Sequence, residues 1–129
     1  MKDKIMVVDD EEHIRMLYSE ELADEGYQVV TVSNGFRLLQ KIEREKPTLV
    51  ILDIRLADYN GLDLLQSIRE RFDDLPVGFC TAYDTFKEDT KSASADFYVV
   101  RSFDLTELKK RIASTIEIYR QKEIKHEFI

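Results

Sequence analysis

The chain has 129 residues, enough for one domain with a core of its own and no need of disulfide or metal staples. Charged residues make up 35% against a usual share of about 25%, and Asp plus Glu outnumber Lys plus Arg by 26 to 19, for a net charge of −7. That balance argues against binding to a phosphate backbone, the lone Cys80 excludes an internal disulfide and fits a reducing compartment, and no apolar run nears the ~20 residues of a membrane-spanning helix. The N-terminus reads straight into a strand, without the apolar segment of a signal peptide.

Residues 5–8 (Ile-Met-Val-Val) are a short apolar run closed by Asp9 and Asp10, the pattern of a buried strand. Residues 11–25 follow as a helix with Ile14, Leu17, Tyr18 and Leu22 on one face, and Gly26 is placed to end it in a left-handed cap. Residues 27–32 are a second strand. Asn34-Gly35 signals a turn, and 36–46 a helix with Phe36, Leu39 and Ile42 inward, stopped by Pro47. The third strand, 49–52, ends in Asp53, and a loop over 54–60 leads to Gly61. Residues 62–71 are helical, with Leu62, Leu65, Ile68 and then Phe72 facing the core.

The fourth strand, 77–80, ends in Thr81. A helix is expected over 84–94, but its one large apolar residue, Phe86, predicts a short or irregular element. The fifth strand, 97–100, ends in Arg101. The last helix begins near Leu105, with Asp104 as N-cap and Glu107 three residues on, and carries the stripe Leu105, Leu108, Ile112, Ile116 and Tyr119.

Five strand–helix units in strict alternation imply a parallel sheet with helices on both faces. The expected fold is therefore α/β, a doubly wound (βα)5 flavodoxin-like three-layer sandwich with strand order 2-1-3-4-5. In that order the first and third strands are neighbours at the switch point, where open sheets bind ligands. Asp9, Asp10 and Asp53 then converge there, flanked by Thr81 and Arg101. Three clustered carboxylates repel one another, and a hard cation such as Mg²⁺ relieves this while leaving room for a phosphate oxygen. An Asp carboxylate can also be a nucleophile that forms an aspartyl phosphate. Each residue alone reads as a cap, a turn hydroxyl or a surface cation; their joint placement is what points to a site.

Met6 to Glu11, then Leu52 to Leu56 with Gly61, then Thr81-Ala82, resemble the receiver domain of two-component response regulators, over about residues 4–119. The resemblance implies that Asp53 is the phosphoacceptor, Asp10 a direct Mg²⁺ ligand and Asp9 a ligand through water. It implies that the backbone carbonyl of Arg55 completes the metal ligands, that Thr81 binds a phosphoryl oxygen, and that Thr81 and Tyr98 form the switch. It also implies a phosphohistidine donor, on a histidine kinase or a histidine phosphotransfer protein, a cytoplasmic location, and a signalling switch that catalyses only its own phosphoryl chemistry. Direct nucleic-acid or membrane contact is not expected. The receiver domain is read as 1–121, with 122–129 a tail or helix extension; the last helix and the fifth-strand face could form a homodimer.

This chain departs from the family pattern in having Arg101-Ser102 for the usual Lys-Pro, Leu56-Ala57 for Met-Pro, and Ser94-Ala95 for Gly-Ala. A guanidinium fork prefers bidentate carboxylate partners. Arg101 is thus expected either to pair with Asp53 at rest or to swing out when metal enters. A competing reading follows: an atypical receiver-like protein-binding module with impaired or rerouted switching. A flavin carrier of similar topology is disfavoured, because Asp9 to Glu12 would repel its phosphate. Cys80 reads as an inert core thiol, and His13 and His126 as surface side chains.

Overall fold

The computed structural model describes residues 2–83, 89–102 and 104–127. Five parallel strands, β1 (Lys4–Val8), β2 (Gln28–Val32), β3 (Leu49–Leu52), β4 (Val77–Thr81) and β5 (Phe97–Val100), lie in the order β2-β1-β3-β4-β5. The expected fold and strand order are therefore those observed. Alternation along β1 divides the core into two layers. Ile5 and Val7 face the layer filled by Ile14, Tyr18 and Leu22 of α1 (Glu12–Asp24) and by Leu108, Ile112 and Ile116 of α4 (Thr106–Glu127). Met6 and Val8 face Leu38 and Ile42 of α2 (Leu38–Glu45) and Leu62, Leu65 and Ile68 of α3 (Gly61–Arg71). Both faces of the central strands are covered, which is why β3 is a run of four apolar residues.

Gly26 ends α1 with φ +94°, the left-handed conformation the sequence predicts. Two apolar positions differ from expectation. Leu17 is 37% exposed, because the buried side of α1 is the narrower i, i+4 row of Ile14, Tyr18 and Leu22. Phe36 is 56% exposed and lies before α2, not within it. The Asn34 side chain accepts the Phe36 amide at 2.8 Å, and Arg37 takes φ +53°. The turn thus runs two residues further than the Asn-Gly pair signals, and Leu38 takes the inward place.

In the fourth crossover, residues 84–88, with Phe86, lie outside the described residues. The described part of the expected 84–94 helix is a 3-10 turn, Thr90–Ser94. Polar bonds hold it to α3: Gln66 Nε2 donates to the Lys91 carbonyl at 3.0 Å, and Arg69 Nε donates to the Ser94 carbonyl at 2.9 Å. Arg69 also pairs with Asp96 at 2.9 Å. Asp96 accepts the Val77 amide at 2.8 Å and the Tyr119 hydroxyl at 2.7 Å, tying β4, β5, α3 and α4 together at the N-terminal edge of the sheet. Asp104 accepts the Thr106 amide at 2.9 Å, as expected of a cap. From there α4 continues to Glu127.

Candidate functional site

The site lies where β1 and β3 run side by side. Val8 pairs with Leu52, so the residues after them are neighbours as well. The ladder extends one step past each strand: the Asp9 amide donates to the Val32 carbonyl at 3.0 Å, and the Asp53 amide to the Val8 carbonyl at 3.1 Å. Backbone bonds therefore fix both aspartates before their side chains do anything. The Asp9 and Asp53 side chains are buried and Asp10 is exposed; carboxylate oxygens of all three fall within 4.8 Å of one another.

Gly61 is what lets the following loop close over this edge. Its amide donates to the Ile54 carbonyl at 2.6 Å, and a Cβ here would stand 2.3 Å from the Asp53 carbonyl oxygen. Asn60 caps α3 by accepting the Leu62 amide at 2.8 Å, and Arg55 bridges back to Asn60. The loop so formed brings Arg55 to the rim of a cleft of about 270 Å³, lined also by Asp10, Glu11, Asp53, Tyr83 and Arg101.

Arg101 enters from β5, where its amide donates to the Thr81 carbonyl at 2.6 Å. One guanidinium nitrogen, Nη2, pairs with Asp9 Oδ2 and, at 3.2 Å, with Asp53 Oδ2. The other terminal nitrogen stands 3.5 Å from Glu11 Oε2. Of the two arrangements expected for Arg101, the structure holds the paired one. Three buried polar atoms have no hydrogen-bond partner among the described residues: Asp53 Oδ1, Thr81 Oγ1 and Arg101 Nε. Buried acceptors and hydroxyls are seldom left so, and such orphans mark a place for a ligand.

Charge and burial compete here. Burial pushes the Asp9 carboxyl up to about 6; the Glu11 amide at 2.9 Å and Arg101 pull it down, while Asp53 and Asp10 add to the rise. Burial lowers the Arg101 pKa, but Asp9 and Asp53 outweigh it and hold the guanidinium above its ordinary value. The donor set is all oxygen, part of it unpartnered, and suits a hard divalent cation. Asp9, Asp10, Asp53 and Arg55 could hold one.

Asp9, Asp10, Asp53, Arg55 and Arg101 thus meet at one edge, with Thr81 ending the adjacent strand, fully buried. Tyr98 stands apart from the carboxylates. Its half-buried ring packs edge-on against Phe79 at 5.9 Å, and its hydroxyl donates to the Tyr83 carbonyl. The Arg55 guanidinium lies 4.5 Å over the Tyr83 ring. Two residues at the site, Glu11 and Tyr83, carry no role in the sequence reading. Glu11 was visible as the third acid of its run, and Tyr83 as the second residue past Thr81. Cys80 is buried, 3.2 Å from the Tyr18 hydroxyl, and His13 is on the surface.

A doubly wound sheet that gathers three carboxylates and a guanidinium at its switch point defines a class: α/β domains that hold a charged ligand at the C-terminal sheet edge. Residues 5–113 match the model of the response regulator receiver domain. The chain is 30% identical to sporulation initiation phosphotransferase F of Bacillus subtilis, over 87% of this chain and 92% of that protein. It is 35% identical to the alkaline phosphatase synthesis transcriptional regulatory protein PhoP of the same organism, over 96% of this chain and 51% of that one. Among solved structures, response regulator TrrA of Thermotoga maritima, in complex with Mg²⁺-BeF, superposes with a TM-score of 0.84 at 42% identity, covering 88% of this chain and 98% of that one. TrrA has also been solved in complex with the histidine kinase ThkA. The chain belongs to the response regulator receiver domain family. It spans about half the length of several curated relatives it matches, PhoP among them. Among the described residues no helix is long and apolar enough to cross a membrane.

Proposed function

We propose that this receiver domain is a phosphorylatable switch that accepts a phosphoryl group on Asp53 from a phosphohistidine. The observation that carries the reading is the pair of buried, unpartnered atoms at one sheet edge: Asp53 Oδ1, a nucleophile, and Thr81 Oγ1, a donor for a phosphoryl oxygen. A bound Mg²⁺ would neutralise the charge of the incoming phosphoryl group. Asp10, Asp53 and the Arg55 carbonyl would hold it directly and Asp9 through water. An Asp53 oxygen attacks phosphorus as the donor's P–N bond breaks, and the imidazole nitrogen keeps the electron pair. Thr81 then follows the phosphoryl group, and Tyr98 reports the change on the β5 face.

A histidine kinase or histidine phosphotransfer protein is the donor, a reading supported by the TrrA–ThkA complex. The receiver domain spans 1–121, with 122–129 its tail or helix extension, a reading supported by the last helix running on to Glu127. Hydrolysis of the aspartyl phosphate by the same site resets it. Val100 and Ile118, both exposed, support self-association along β5 and α4. The lone cysteine accords with the cytoplasm. Arg101 on Asp53 and Asp9 favours the second reading, a receiver-like binding module with altered switching. Intact-mass analysis after incubation with acetyl phosphate and Mg²⁺ decides between them. The switch gains one phosphoryl mass and Asp53→Asn gains none. A wild-type chain that stays unmodified, or a labelled Asp53→Asn, rejects Asp53 as acceptor.

A further inference from the structure

Glu11 is the feature of the site that the proposed phosphorylation does not use. It precedes the first helical residue of α1, yet among the described residues its side chain caps nothing. Its carboxylate turns instead toward the cleft, where Oε2 stands 3.5 Å from Arg101 Nη1 and 3.5 Å from His13 Nε2. The Glu11 side chain is half-exposed, whereas those of Asp9 and Asp53 are buried.

The oxygens of the acidic cluster are unequally occupied. Asp9 Oδ1 accepts the Glu11 amide and Asp9 Oδ2 holds Arg101, so both Asp9 oxygens are engaged. Asp53 Oδ2 also holds Arg101, and Asp53 Oδ1 is the buried carboxylate oxygen of the cluster left without a partner among the described residues. A carboxylate oxygen can accept more than one bond, but the Oδ2 atoms of Asp9 and Asp53 both face the guanidinium, so a divalent cation seated on this cluster shares its ligands with a fixed positive charge. The two cations also repel strongly at such separations in a partly buried site. Repulsion therefore drives the guanidinium off Asp9 toward the rim of the cleft, where a carboxylate partner is in reach. Glu11 is that partner, already beside the second terminal nitrogen.

We propose that Arg101 is a built-in competitor of the divalent cation for Asp9, and that Glu11 is the positioning residue that receives the guanidinium when metal enters. This rests on the reading of Asp9, Asp10 and Asp53 as the metal site. Metal entry thereby moves Arg101, and with it the start of the segment between β5 and α4, before any phosphoryl transfer. A lysine here would be a single compact ammonium, without the second nitrogen that reaches Glu11 while the first holds Asp9.

The test is Mg²⁺ affinity by calorimetry on the full chain, with side-chain ¹⁵N signals of Arg101 followed in parallel. Arg101→Met should bind Mg²⁺ about tenfold more tightly than wild type, and Arg101→Lys by an intermediate factor, on the Coulomb scale for a nearby like charge. Glu11→Gln should weaken Mg²⁺ binding about threefold where Arg101 is present, and by a clearly smaller factor in Arg101→Met, where only its bare charge is lost. The Arg101 signals should move on titration in wild type and move less in Glu11→Gln. If Arg101→Met and Arg101→Lys bind within twofold of wild type, or Glu11→Gln acts equally in both backgrounds, the competition is rejected and the metal site stands. If no protein in the series binds Mg²⁺ at millimolar concentration, the metal site is rejected and the competition with it. Should Arg101→Met fail to fold, Arg101→Lys and Glu11→Gln carry the comparison.

Discussion

The two halves of the sheet are held in different ways. Around β1 and β3 the strands are sealed on both faces by aliphatic side chains, and the aspartates at their ends are fixed by backbone ladder bonds. Around β4 and β5, on the face that α3 covers, the fourth crossover contributes a 3-10 turn, Thr90–Ser94, that is held by Gln66 and Arg69, with Arg69 in turn paired to Asp96. The difference assigns separate duties. The first half places chemistry on a rigid edge, so its charges can be altered without loss of the fold. The second half shares the apolar core through Val77, Phe79, Phe97 and Val99 but adds a clasp of polar bonds between elements, so single polar substitutions there should be felt across several of them.

The sharpest way to break this contrast is at Asp96. It joins the Arg69 guanidinium, the Val77 amide and the Tyr119 hydroxyl, each within 2.9 Å. Asp96→Ala leaves three donors short of an acceptor, one of them a partly buried cation, and should cost about 2–3 kcal/mol by urea denaturation. The Tyr119 hydroxyl supplies a second readout. Burial first, and then its bond to Asp96, push its pKa up to about 12, so the variant should titrate lower. A loss below about 0.5 kcal/mol, the range of an ordinary surface substitution, would put the two halves on an equal footing.

A smaller effect of opposite sign is expected at Asp9. Its carboxyl is pushed up to about 6 in the folded chain, against about 3.9 when unfolded. The folded state then binds the extra proton between those values, so stability falls as pH rises from about 4 to about 6, and the loss persists above. Asp9→Asn removes that penalty and keeps an Oδ1 acceptor for the Glu11 amide. It also loses the Arg101 pair, so the net gain at pH 7 in chelator should be about 1 kcal/mol, with little gain at pH 4. An equal effect at both pH values would show that the charge of Asp9 is not what costs stability.

The same contrast governs what the sequence reveals. Uniform apolar runs announce β1 and β3, and with the alternation of units they place Asp9, Asp10, Asp53, Thr81 and Arg101 on one edge. Partnerships between polar side chains leave no such trace. Nothing near Gln66 or Arg69 signals that they hold a turn some 25 residues on, and Glu11 looked like one more charge in an acidic run. Phe36 falls outside the core for a local reason. The Asn34 side chain and the left-handed Arg37 lengthen the turn, and hydrophobicity alone selects Phe36 over Leu38.

The smallest expected effect separates the two kinds of polar bond within the clasp. Lys91 Nζ lies 3.1 Å from Asp63, but both side chains are more than half exposed, and such pairs contribute about 0.2–1 kcal/mol before screening by salt. The backbone carbonyl of Lys91 accepts Gln66 Nε2 whatever side chain stands at 91. Lys91→Met removes the ion pair and leaves that bond intact. Gln66→Leu removes the bonds to the Lys91 carbonyl and to Ser94 Oγ and leaves the ion pair. Amide exchange of Ser92 and Ala95, whose N–H groups close the turn onto Asp89 and Ser92, reads both. Gln66→Leu should speed exchange about fivefold, the equivalent of about 1 kcal/mol, and Lys91→Met less than twofold, with no dependence on salt. If Lys91→Met speeds exchange as much as Gln66→Leu, the turn is held by surface charge. Its order should then weaken with ionic strength, which the rigid β1–β3 edge would not share.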